Sequence, residues 1–130
     1  MSLNVSGEIV AQAERGRVDP SLFAETVRES LPKAWEIIEG LVERLRSSSN
    51  PLESYGTGPM DEETRGQLLR MLAGNALRNC VESHFTVSLA FQNCHNVAVV
   101  RPGQEASKPV EEFKSPEAQV KNQKPQFQHC

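Results

Sequence analysis

Strand-forming pattern is confined to one stretch of this chain, His84 to Val100 (HFTVSLAFQNCHNVAVV). Phe85, Val87, Leu89 and Phe91 alternate with Thr86, Ser88 and Ala90, the period of a half-buried strand. Val97 to Val100 is a second apolar run. Between them lies QNCHN, which reads as a hairpin turn in preference to a bulge in one long strand. A single hairpin cannot close a core alone. The rest of the chain must therefore supply helices to cover it, and the expected fold class is α+β, mainly helical with one small antiparallel β-hairpin.

The helical signals lie upstream. Ser6 reads as the cap of a short helix ending near Arg15, with Ile9, Val10 and Ala13 on one face and Gly16 as the stop. Asp19-Pro20 reads as N-cap plus first helical residue, followed by Leu22, Phe23, Thr26 and Val27. Pro32 either restarts or kinks that helix. In KAWEIIEGLVERLR, Trp35, Ile38, Leu41, Val42 and Leu45 form an apolar stripe, read as core packing. Gly40 within it marks a place where a second helix can approach closely. Residues 47–59 read as a loop, with Tyr55 a surface residue or ligand contact. Asp61 caps the next helix, whose apolar face runs from Leu68 through Leu72, Ala73 and Leu77 to Cys80. Gly66, Ala73 and Gly74 leave room there for another helix, including one from a second subunit.

With 130 residues the chain suits one domain. It divides into a helical body with its hairpin, residues 1–100, and a polar tail, residues 101–130. The tail holds a short helix opened by Ser115-Pro116, and either packs on the body or on a partner subunit or is disordered. A hydrophobic fraction of 38% is low for a compact globule, so part of the chain is expected to be poorly packed or covered by a second copy. A net charge of −3 without any basic run argues against nucleic acid as a partner, because phosphate contact needs clustered Lys and Arg. No segment has the length of a membrane span or the layout of a secretory signal. Cys80, Cys94 and Cys130 read as reduced cytosolic thiols, so a cytoplasmic protein is expected.

Candidate sites centre on the hairpin. Gln92, Asn93 and His95 combine donors and acceptors suited to peptide backbone, though Asn93 and Asn96 are as well explained by turn hydrogen bonds. Arg78 is a candidate partner for a peptide carboxylate, with an exposed helix surface as the plainer account. Cys80 and His84 sit four apart at a helix end, and Cys94 with His95 would complete a Cys₂His₂ set, but the spacing matches no common zinc motif. No metal and no cofactor is expected. Cys80 with His84 also has the spacing of a nucleophile and base, yet Cys80 continues the apolar face and reads as an inert thiol. No phosphate loop is present and no carboxylate pair is recognisable, so no catalytic residue is assigned.

Taken together, SLPKAWEII, DEETRGQLLRMLAGNALR, LAFQNCHNVAV and NQKPQFQHC resemble a group of small actinobacterial proteins of unassigned function, with FQNCH the most distinctive piece. The chain is also similar, more distantly, to the lysinoalanine-forming proteins of cinnamycin- and duramycin-type lanthipeptide clusters. That resemblance implies an intertwined homodimer and a modified lanthipeptide as substrate. The implied reaction adds a lysine amine to a dehydroalanine, with a carboxylate of the substrate itself taking the proton. Deprotonating a lysine at neutral pH costs about 4–5 kcal/mol, and holding amine and alkene in attack geometry contributes roughly 7–11 kcal/mol at best. Such a protein needs a shaped groove rather than a triad. The alternative is a non-enzymatic actinobacterial binding or regulatory protein of the same fold. A Cys/His metal protein is a third, less favoured reading.

Overall fold

The computed structural model describes residues 3–56, 60–92 and 96–121. Among these are seven helices and three short strands. The protein is a mainly helical α+β fold with a small antiparallel sheet.

Helix α1 spans Gly7–Glu14, and the Ser6 hydroxyl accepts from the Ile9 N–H as its cap. Its expected apolar face is narrower than the pattern indicated: Ile9 is buried, but Val10 and Ala13 are exposed. Helix α2 (Pro20–Ser30) starts as expected, with the Asp19 carboxylate accepting from the Ser21 and Leu22 N–H groups. Pro32 restarts the chain rather than kinking it. Leu31 separates α2 from α3, Pro32–Arg46. All five stripe residues of α3 are buried. Gly40 does not mark a close approach, because a Cβ built there would meet nothing within 4 Å.

Two segments depart from the sequence reading between residues 47 and 85. Leu52–Ser54 forms a strand, β1, inside the expected loop. The long helix capped by Asp61 breaks at Gly74, whose extended backbone (φ −106°, ψ 139°) separates α4 (Glu62–Ala73) from α5 (Asn75–Phe85). Phe85 therefore belongs to a helix, not to a strand. With Leu77 and Val81 it forms the buried, four-spaced face of α5. Thr86 then ends the helix in the left-handed region (φ 55°).

The expected hairpin forms from β2 (Ser88–Gln92) and β3 (Asn96–Val100), with Gln92 opposite Asn96 and Leu89 opposite Val99. Strand β1 adds to the other edge of β3, giving the antiparallel order β1-β3-β2. The central strand is buried along its whole length, which explains its unbroken apolar run. Its residues Val97 and Val99 face the main core, built from α2, α3, α4 and α5. Ala98 and Val100 face a smaller cluster with Ala90 and Val110. Val110 lies on α6, Lys108–Lys114. This second helix of the polar segment was not anticipated, and it covers the outer face of the sheet. The anticipated one is α7, Pro116–Lys121.

Local signals leave α3 without a side-chain cap of its own. The cap comes from another helix. The buried Gln67 Oε1, on α4, accepts from the Lys33 N–H at 2.7 Å and the Ala34 N–H at 3.2 Å. At the far end the Arg101 guanidinium donates to the Leu45 carbonyl at 2.7 Å, Ser48 at 2.9 Å and Asn50 at 3.2 Å. Backbone groups that a lone helix leaves unsatisfied are thus filled by long-range partners.

Candidate functional site: a cleft between two helices

The first turn of α2 packs beside α5 and leaves a cleft of about 430 Å³. One wall is Val18, Pro20, Ser21, Phe23 and Ala24. The other is Ala76, Asn79, Cys80, Ser83 and His84, which recur at three- and four-residue spacing along one stripe of α5. Val18, Pro20, Phe23, Ala24 and Ala76 make the cleft largely apolar. Asn79, Ser83 and His84 are exposed and offer donors and acceptors along the rim.

The His84 ring is held by aromatic neighbours. Its centroid lies 5.0 Å from that of Trp35 and 4.7 Å from that of Phe85, the latter edge to face, and Trp35 also packs on Phe85 at 5.1 Å. Such packing orients the imidazole at the cleft mouth. Cys80 is half-buried in the same cleft, and that burial pushes its thiol pKa up. A raised pKa keeps the group protonated near neutrality, which is the wrong direction for a nucleophile.

Cys80 and His84 thus share a wall of the cleft. Among the described residues, no group of three or more His, Cys, Asp or Glu side chains is placed to hold a metal ion. Cys94 and His95 lie outside the described residues, as do Asn93 and Cys130.

Gln92 is not at an open surface. It is buried at 1% exposure, its Nε2 donates to the Phe113 carbonyl at 2.8 Å, and its Oε1 accepts from Asn96 Nδ2 at 3.1 Å. Asn96 Oδ1 in turn accepts from the Gly56 N–H at 2.9 Å. These two amides join α6, the hairpin and the segment after β1 in one buried network. Arg78 is half-buried, donates to Asn75 Oδ1 at 3.1 Å on its own helix, and does not line the cleft. Tyr55 packs against the core and lines a separate shallow hollow with Lys33, Ile37 and Met60.

The cleft residues escape a sequence reading because its two walls lie far apart in the chain. Only the Cys80–His84 spacing gave a signal, and it pointed to a metal or a nucleophile rather than to a cleft wall. No helix among the described residues is long and apolar enough to cross a membrane.

A family model described as NucS shadow ORF matches residues 1–130, the whole chain. No curated protein and no solved structure matches it.

Proposed function

We propose, for a chain that belongs to the NucS shadow ORF family, that it acts as a docking template for a peptide, received in the cleft between α2 and α5. The supporting observation is the cleft itself: apolar walls, a polar rim, and a histidine fixed by two aromatic rings. Its volume is at the low end for ligand pockets, about 300–1,000 Å³, room for one or two side chains. A larger peptide would seat those side chains and lie across the surface.

By the resemblance of its sequence, the peptide in this proposal is a ring-closed lanthipeptide, and docking promotes lysinoalanine closure in the cytoplasm. The lysine amine forms a C–N bond to the dehydroalanine Cβ and the alkene π pair moves to Cα. The proton lost by the amine passes through a substrate carboxylate and is returned at Cα. Mass is unchanged and no external reagent is consumed. The raised pKa of Cys80 fits this division of labour, in which the protein positions and the substrate reacts. The proposal includes a homodimer, which light scattering tests.

The activity test is incubation with a dehydrated, ring-closed peptide followed by thiol trapping of dehydroalanine. Loss of trapping supports the reading, and complete trapping refutes it. Ala76→Trp, which fills the cleft, should block closure. His84→Ala should weaken peptide binding yet leave turnover at saturating peptide.

A second reading is favoured by the family's description, which names an open reading frame shadowing NucS and no activity. On that reading the frame is a by-product of the NucS sequence, and its translation serves no purpose. Opposing it is the agreement between local and tertiary signals. Ser6, Asp19 and Asp61 each place an oxygen on a helix N–H, and the apolar stripes close one core, the consistency expected of a sequence selected as protein. Mass spectrometry on native cells separates the two. Tryptic peptides of this chain support the first, whereas their absence beside abundant NucS peptides supports the second.

A further inference from the structure

Val18 and Pro20 stand at the edge of the cleft. The same two residues line a second, more polar hollow of about 780 Å³, shared with Gln12, Arg15, Gly16, Arg17 and Asp19. The turn that forms it is held by its own hydrogen bonds. The Arg17 N–H donates to the Gln12 carbonyl at 3.1 Å, the Gly16 N–H to Ala13 at 2.9 Å, and Gln12 Oε1 accepts from the Asp19 N–H at 2.8 Å. Gly16 takes the left-handed conformation the turn requires (φ 77°). Of the charged side chains lining this hollow, Asp19 is the acidic one, and its Oδ1 already accepts from two helix N–H groups. Arg15 and Arg17 are exposed, and neither enters an ion pair with a described residue. The apolar cleft and the hollow lined by Arg15 and Arg17 thus adjoin at Val18 and Pro20.

We propose that this turn is an anion subsite of the peptide cleft, and that the occupant is the C-terminal end of a peptide. An apolar side chain would enter between α2 and α5, and the free carboxylate beside it would pair with Arg15 and Arg17. The inference rests on the peptide-docking reading and adds the chemistry of the end that docks. Guanidinium suits it because its planar fork matches a carboxylate.

The test uses the full chain and three fluorescein-labelled tetrapeptides, read by anisotropy. One ends in leucine with a free carboxylate, one in leucine amide, and one carries an internal aspartate before leucine amide. The free acid should bind about two- to fivefold tighter than the leucine amide, the scale of ion pairs made by exposed guanidinium groups. That gap should shrink with added salt and vanish in the Arg15→Gln/Arg17→Gln double variant, whose circular dichroism confirms folding. Equal binding of free acid and leucine amide overturns the anion subsite and leaves the docking reading intact. An internal aspartate matching the free acid overturns the C-terminal assignment. Failure of all three peptides to bind overturns the subsite, and the docking reading falls only if the ring-closed peptide also fails to bind.

Discussion

Gln67 and Arg101 hold opposite ends of the same helix. Gln67 Oε1 satisfies two N–H groups in the first turn of α3, and the Arg101 guanidinium satisfies carbonyls at and beyond its last turn. Neither residue belongs to α3. The central helix of the core is thereby fixed in register against α4 on one side and the end of β3 on the other. Gln67→Ala should cost about 1–3 kcal/mol, since it strips a buried acceptor from two N–H donors. Arg101→Lys should also destabilise, because an ammonium cannot reproduce the fork. Urea denaturation monitored by circular dichroism checks both.

Thr86 is a β-branched residue held at φ 55° to close α5. That conformation is disfavoured by roughly 1–2 kcal/mol for residues with a Cβ. Thr86→Gly should therefore stabilise the protein by about 0.5–1 kcal/mol after the entropy of glycine is counted. A higher urea midpoint at unchanged slope is the expected result.

Three carboxylates sit below the usual range in the folded state. The Thr64 backbone N–H acts most strongly on Asp61, with Lys33 adding to it. Asn50 does so for Glu53, ahead of Ser48 and Arg44. Glu105 is held by its own backbone N–H and by the Ser88 hydroxyl. In each case the unfolded chain takes up a proton first as pH falls. Their contribution is fully present above the ordinary carboxylate pKa and is lost as pH drops through the folded values. Stability should decline on acidification from that range, and Asp61→Asn should flatten the decline. Because Asp61 and Glu105 are exposed, added salt should reduce the effect. Denaturation midpoints across acidic pH give the slope directly.

Cys80 reports on the cleft. Its raised thiol pKa predicts slower alkylation by iodoacetamide than an unperturbed thiol shows at the same pH. A docked peptide should slow it further, since Cys80 lines the cleft wall. Site-resolved mass spectrometry distinguishes it from Cys94 and Cys130.

Long amphipathic stretches and caps were legible in the sequence because their physics is local. The stripe from Trp35 to Leu45 and the Asp19-Pro20 start required only helical spacing and a capping oxygen. What escaped was decided at long range. Leu52–Ser54 is too short to show a period and becomes a strand only by pairing with Val100, Val99 and Ala98. Gly74 interrupts an apolar face that continues on both sides, so periodicity alone runs through it. Phe85 fits both the alternation of β2 and the four-residue spacing of Leu77 and Val81, and helix packing wins. Gln92 was read as a peptide-binding candidate from its donor and acceptor, but the Phe113 carbonyl and Asn96 take up both in a buried network. The cleft was the least legible feature, since Val18 and Phe23 meet Asn79 and Ser83 only after folding.

The most direct test is an NMR titration of the full chain with a dehydrated, ring-closed peptide that has not yet been cross-linked. Saturable shifts centred on Val18, Phe23, Asn79, Ser83 and His84 are the predicted result. No shifts at millimolar peptide, or shifts confined to α6 and the outer face of the sheet, would contradict the docking site between α2 and α5.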